Sequence, residues 1–155
     1  VLVSETLAAD RVLLTTDSEQ LPTKGAAIAQ LASMLADSAG VDASLIEQKL
    51  NERERVQTTA IGHGIAIPHT SFSSLDRQLA ALIIARDGIP FEAVDGQPAR
   101  IIMGVVGPAT GASAHLRLLA RVSRLFNNPD TRSALLQSEQ RSEALALIAE
   151  AENRS

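Results

Sequence analysis

Apolar residues recur along this chain at two different spacings. Ile28, Leu31 and Leu35 stand three and four residues apart, with Ala32 and Ala36 beside them, which is the spacing of one buried helical face. Pro22-Thr23 opens that stretch, with Thr23 placed to cap it, and Gly40 is placed to end it. A second helix is expected to start near Asp42 to Ser44, where Ser44-Leu45-Ile46-Glu47 has the form of a capping box. Its inward stripe reads Ile46, Leu50 and then Arg53. Two later runs, 79–85 and 101–106, are apolar without alternation, short, and bounded by Arg, Gly and Pro. They read as strands covered on both faces. Leu13-Leu14 marks a further short extended segment.

The remaining elements follow from the same patterns. Between the two central runs, Asp95-Gly96 gives a turn, and Phe91 and Val94 a short edge strand. Gly107-Pro108 closes the second run. A long helix begins near Ser113, with Leu116, Leu119, Ser123 and Phe126 on one stripe and Leu118, Val122 and Leu125 widening it. Asn127-Asn128-Pro129 stops it. A short helix over 131–136 and a last helix, capped by Ser142 and carrying Leu145, Ile148 and Ala151, complete the chain. The tail beyond Glu152 is expected to be disordered. Helices before, between and after two buried strands imply an α/β layered domain, and 155 residues suit one domain, 1–155.

One stretch is explained by neither spacing. Thr58-Thr59-Ala60-Ile61-Gly62-His63-Gly64-Ile65-Ala66-Ile67-Pro68-His69 has two glycines in three residues, then an apolar run, then Pro-His. The glycines let the backbone turn and approach a ligand closely. Ile65, Ala66 and Ile67 anchor the segment, and Pro68 keeps Ile67 extended. The segment is a stiff mount that holds His69 in one place. Thr70 to Ser74 then reads as a polar loop.

Composition narrows the chemistry. Aromatics make up only 2% of residues, with no Trp or Tyr, so single-stranded nucleic acid finds no stacking platform. The formal net charge is −4 and no basic run occurs, which disfavours nucleic acid and anionic membranes as partners. The absence of Cys removes disulfides, thiolate metal sites and cysteine nucleophiles together. No apolar run spans a bilayer and the N-terminus is not a signal peptide, so a cytoplasmic location is expected. The chain starts at Val1 rather than Met, as in a trimmed or excised domain.

Two catalytic roles suit the three histidines. In the first, His69 is a neutral nucleophile that attacks phosphorus and holds a phosphoryl group. Arg53 then supplies a guanidinium fork, the Gly62–Gly64 backbone supplies N–H donors, and His115, in the first turn of its helix, a further contact. In the second, His63, His69 and His115 converge on a hydrolytic zinc ion, although nothing in their spacing enforces this. Periodicity alone leaves Arg53 equally readable as a residue that snorkels at a helix end. His63, between two glycines, reads as an exposed turn residue. A domain with structural histidines, serving sensing or binding within a larger transporter, is the third reading.

The segment 59–69 resembles the active-site signature of enzyme IIA domains of the phosphotransferase system, of the fructose/mannitol and nitrogen-regulatory type. Arg53-Glu54 upstream, the segment 91–98 and His115-Leu116-Arg117-Leu118-Leu119 resemble three further blocks of that family in the same order. The resemblance implies a mixed β-sheet with helices packed on both faces, and a phosphocarrier that takes a phosphoryl group on His69 from an HPr-type carrier. The group then passes to a IIB domain, or its presence serves as a regulatory signal. The resemblance assigns Arg53 and His115 to the phosphate site and implies no metal or organic cofactor. Transfer between two proteins also implies an apolar rim around His69, for which Phe72 and Ile65 are the candidates. Gln57, Thr58-Thr59-Ala60 and Thr70-Ser71 depart from the family's usual residues; the departures leave the histidine chemistry intact and bear on partner choice.

Overall fold

The computed structural model describes residues 1–16 and 19–154. Its centre is a pair of long antiparallel strands, β5 (Leu79–Ile89) and β6 (Ala99–Pro108), the two unalternating apolar runs. Strand β1 (Val12–Thr15) lies parallel to β5. On the other side of β6, two short strands, β3 (Ile65–Ala66) and β4 (His69–Phe72), lie in line and parallel to it. Strand β2 (Ala60–Gly62) folds back antiparallel on β3. The mixed six-stranded sheet is covered on both faces.

Alternate strand residues divide between two cores, as the pleat requires. Ala81, Ile83, Ala85, Ile102 and Val106 pack under α1 (Lys24–Ala39) and α2 (Ala43–Val56). Ala80, Leu82, Ile84, Ile101, Met103 and Val105 pack under α3 (Ala112–Phe126), α4 (Pro129–Leu136) and α5 (Arg141–Arg154). This two-sided burial explains why neither central strand alternates in sequence. Thr23 caps α1 by accepting from Ala26 N at 3.0 Å, and Gly40 ends it at φ 65°.

Several local expectations need correction. Helix α2 starts at Ala43, with Asp42 as N-cap and no side-chain cap bond, so Ser44 is already helical and forms no capping box. The buried stripe of α2 runs Ile46, Leu50, Glu54, in steps of four; Arg53 sits beside it, half-buried. Ser113 is likewise inside α3, which opens from a left-handed Gly111 (φ 80°) without a side-chain cap. The buried face of α3 is Leu118, Val122, Leu125 and Phe126, and Leu116 is 65% exposed. Ser142 lies within α5 rather than capping it. The segment 90–98 is no edge strand: Phe91 is buried and Val94 fully exposed, and Glu92 and Gly96 take left-handed φ values that break an extended run. Of the expected loop Thr70 to Ser74, residues 70–72 instead continue from His69 as β4; a four-residue strand at a sheet margin with one apolar residue, Phe72, carries no hydrophobic alternation to reveal it. The tail is ordered through Arg154, and the Glu152 carboxylate accepts from Val3 N at 2.6 Å and Ser4 N at 2.8 Å.

Glu54 is the least expected core residue. Its carboxylate accepts from Thr59 N at 2.9 Å, from Thr59 Oγ1, and from Lys24 Nζ at 3.1 Å. Burial acts to raise its pKa, but the Thr59 and Lys24 bonds together outweigh burial and hold the carboxyl below its ordinary value. The carboxylate thereby fastens the end of α2 to the start of the Gly-rich segment. Glu54→Ala leaves the Thr59 amide and hydroxyl without their acceptor, and leaves the partly buried Lys24 ammonium with only the exposed Glu92 carboxylate, at 3.6 Å. It is expected to destabilise the fold by about 3 kcal/mol in urea unfolding.

Candidate active site

The segment 60–69 is a hairpin followed by a broken edge. The β2–β3 turn places Gly62, His63 and Gly64 all at positive φ (90°, 58° and 78°). Asp95 pins the turn from the loop 90–98, accepting from His63 N at 2.9 Å and from Gln97 N at 3.0 Å. After the turn, Ile67 N donates to Thr59 O at 3.0 Å, and Pro68 O accepts from Val105 N at 2.9 Å. Backbone bonds on both sides of Pro68 therefore fix where β4 begins. His69 is its first residue, on the same side as Ile65 and Ile67, facing α3.

His69 is held by one further bond. Its Nδ1 lies 2.8 Å from the Ile67 carbonyl oxygen. A carbonyl only accepts, so Nδ1 carries the proton and the lone pair sits on Nε2. Nε2 has no hydrogen-bond partner among the described residues. Beside the imidazole opens a cleft of about 360 Å³, lined by Arg53 from α2, Thr59 and Ile61 from the Gly-rich segment, and Leu119, Ala120 and Ser123 from α3. Arg53 donates one N–H to Gln57 O at 2.9 Å, and its other nitrogens have no partner among the described residues. The His115 ring stands 5.8 Å from that of His69, centroid to centroid, and its Nδ1 is 3.0 Å from Gln78 Oε1.

Burial is the main cause that pushes the His69 pKa below its ordinary value. The Ile67 carbonyl works upward, the charge of Arg53 adds to the lowering, and the Glu54 carboxylate opposes it. His115 is lowered by burial and then by charge on His69. Both rings are therefore neutral near pH 7, and one presents a free nitrogen beside a cationic fork.

Of the residues singled out in the sequence, Arg53, His69 and His115 come together, and Gly62, His63 and Gly64 do not line the cleft. The glycines serve the turn: a Cβ on Gly62 would lie 3.2 Å from the Asp95 carboxylate, and one on Gly64 would lie 3.5 Å from Pro98 O. His115 is the fourth residue of α3, its own N–H directed at Gly111 O, so it does not sit among free N–H groups. Among the described residues, no group of three or more His, Cys, Asp or Glu side chains is placed to hold a metal ion, which removes the three-histidine zinc site. Phe72 and Ile65 are buried at 6% and 1% exposure and form no rim; Ile61, which lines the cleft, is 44% exposed, and Leu116, beside His115 in α3, is also exposed. The sequence marks Asp95 only as a turn residue, in keeping with its local bond to Gln97 N, and does not mark Gln78 at all; the bonds of Asp95 to His63 and of Gln78 to His115 reach more than 30 positions and leave no local signal.

Fold and cleft together define a small α/β domain that presents one neutral imidazole, flanked by an arginine and a second histidine, at its surface. The chain belongs to the EIIA 2 family of the phosphoenolpyruvate-dependent sugar phosphotransferase system, whose family model matches residues 9–151. It is 34% identical over 131 residues to a PTS system fructose-specific EIIA component of Haloferax volcanii, covering 83% of this chain and 84% of that one. It is 32% identical over 116 residues to a nitrogen regulatory protein of Bradyrhizobium diazoefficiens, covering 75% and 76%. Among solved structures, the nitrogen regulatory protein IIA-Ntr of Neisseria meningitidis superposes with a TM-score of 0.85 at 23% identity, covering 94% of this chain and 98% of that one. Family membership places the chain among phosphoryl-transfer domains, and no helix among the described residues is long and apolar enough to cross a membrane.

The lowered histidines carry a stability consequence. The unfolded chain binds protons on these rings more readily than the folded chain does, so stability declines as pH falls below the ordinary histidine value of 6.5. Urea unfolding should show this decline between pH 7.5 and 5.5, and His69→Gln with His115→Gln should flatten it.

Proposed function

We propose that the domain is a cytoplasmic phosphotransferase that accepts a phosphoryl group on Nε2 of His69 from a phosphohistidine on a carrier of the HPr type. The observation that carries this reading is the bond from Nδ1 of His69 to the Ile67 carbonyl. It leaves Nε2 as a fixed, unprotonated nucleophile facing the cleft that Arg53 lines. The Nε2 lone pair attacks phosphorus. The bond from phosphorus to the donor's ring nitrogen breaks, and its electron pair returns to that ring. The reaction exchanges one P–N bond for another, so the protein's task is alignment and charge stabilisation. Arg53 offers its unpaired N–H groups to the equatorial oxygens, and His115 offers a second contact.

The surroundings suit a protein donor better than a free sugar. Ile61, Leu119 and Ala120 line the cleft, and Leu116 stands exposed one helical turn before Ala120. An apolar margin of this kind excludes water when a second protein surface closes over it. The two relatives named above carry a transport name and a regulatory name. The phosphoryl group accordingly has two destinations, a sugar-specific IIB domain or a regulated target that responds to the phosphorylation state.

Incubation with phosphoenolpyruvate, enzyme I and an HPr-type carrier should label the chain with an acid-labile, alkali-stable phosphoryl group, and His69→Ala should abolish the label. Label that persists in that variant would place the acceptor elsewhere. The acid limb of the rate–pH profile should lie below 6.5, and Arg53→Ala should both slow transfer and move that limb upward, because the arginine charge holds the pKa down. Leu116→Asp should leave the fold and the limb unchanged and lower kcat/KM roughly tenfold, through KM.

A further inference from the structure

The proposed phosphoryl transfer does not account for a glycine near the end of β6. Gly107 is a strand residue with no positive φ, so its backbone conformation does not require glycine. Inside a strand, glycine gives up side-chain packing and conformational restraint. Here the missing side chain makes room. A Cβ on Gly107 would lie 2.5 Å from Cδ and 2.6 Å from Nε2 of Gln78, well inside contact distance. Leu79 pairs with Val106 in the β5–β6 ladder, which brings Gln78, the residue before β5, level with Gly107. The Gln78 amide therefore lies against the bare Cα of Gly107, and from that seat its Oε1 meets Nδ1 of His115 at 3.0 Å. No other hydrogen bond to the His115 ring occurs among the described residues. Gln78 itself is half-buried, and the His115 ring it orients is the one 5.8 Å from His69.

We propose that Gln78, seated in the notch left by Gly107, is a positioning residue: it holds His115 as the Nδ1–H tautomer, so that Nε2 is the nitrogen that meets the phosphoryl group on His69. The proposal rests on the phosphocarrier reading for its purpose, while the geometry of the seat is independent of it.

The choice of an amide has chemical consequences. A neutral carbonyl oxygen accepts from Nδ1–H whether the ring is neutral or charged. In the empty site His115 stays uncharged, because burial and the neighbouring His69 disfavour the cation. When a dianionic phosphoryl group arrives on His69, its charge favours a proton from solvent on Nε2 of His115. The imidazolium then donates from both nitrogens, to Gln78 and to a phosphoryl oxygen. A carboxylate at position 78 would hold the ring charged in the empty site as well. An apolar side chain there would leave the ring free to take either tautomer. His115 is thus fitted to respond to the phosphoryl group, and Gln78 sets which nitrogen responds.

The test reads the tautomer directly. Long-range ¹H–¹⁵N spectra of the histidine rings should show neutral His115 as the Nδ1–H form. Gln78→Leu should convert it to a mixture or to the Nε2–H form, and should slow transfer from the phosphorylated carrier roughly tenfold, the scale of losing a ligand-orienting partner. Gly107→Ala should reproduce both effects with Gln78 still present, by displacing the amide. In the Gln78→Leu background, Gly107→Ala should add little further to either readout. Gln78→Glu should keep the Nδ1–H form and raise the pH at which His115 titrates. A wild-type His115 in the Nε2–H form overturns the proposal, and so does Gln78→Leu with an unchanged tautomer or an unchanged transfer rate. If the wild-type chain takes no phosphoryl label at all, the phosphocarrier reading and the proposed purpose fail, while the tautomer spectra still judge whether Gln78 orients the ring.

Discussion

The bond from His69 Nδ1 to the Ile67 carbonyl, two residues back along the chain, is the interaction on which the site depends. An imidazole has two nitrogens and can present either one. A backbone carbonyl removes the choice, because it cannot move away or change its own protonation. Its placement follows from the hydrogen bonds that tie Ile67 and Pro68 to Thr59 and Val105. Those bonds in turn rely on Glu54, which grips Thr59 from the end of α2. The orientation of the His69 ring is therefore specified by a chain of contacts running from a helix end, through a buried carboxylate, into a strand edge.

Neighbouring residues of α2 divide the work. Glu54 faces inward and is spent on Thr59 and Lys24, so its charge is neutralised within the fold. Arg53 leans into the cleft with most of its donors unclaimed among the described residues. In a chain of net charge −4, an uncompensated guanidinium beside the imidazole is a local reversal of sign. It favours the arrival of an anion and disfavours protonation of the His69 ring.

Much of this was legible in the sequence, for identifiable reasons. The unalternating runs 79–85 and 101–106 announced a doubly covered sheet, because burial on both faces erases the strand period. Gly-rich turn, apolar anchor and Pro-His announced His69. Other features were invisible. The i+3 step puts Arg53 on the buried stripe, whereas the helix takes the i+4 step to Glu54, a residue whose burial makes sense only with Lys24 and Thr59 around it. Strand β4, His-Thr-Ser-Phe at a sheet margin, has no apolar rhythm to mark it. The helix start expected near Ser113 falls at Ala112, but what opens it is the left-handed Gly111 and not a side-chain cap, which the sequence does not reveal. Gln78 and Asp95 act across long stretches of sequence, and no local pattern marks such contacts.

The two short strands that share one edge of β6 have a further consequence. Ile65, Ile67 and His69 lie on one face of the sheet, and Ala66 and Phe72 pack on the other. Which helix the imidazole sees is thus a matter of parity, set by the count of residues between the Gly64 turn and His69. Adding or removing one residue in that interval would not shift the ring along the cleft by a small distance. It would turn the ring through the sheet, toward the α2 side and away from His115. Evolution can vary the identity of the residues in this interval far more readily than it can vary their number.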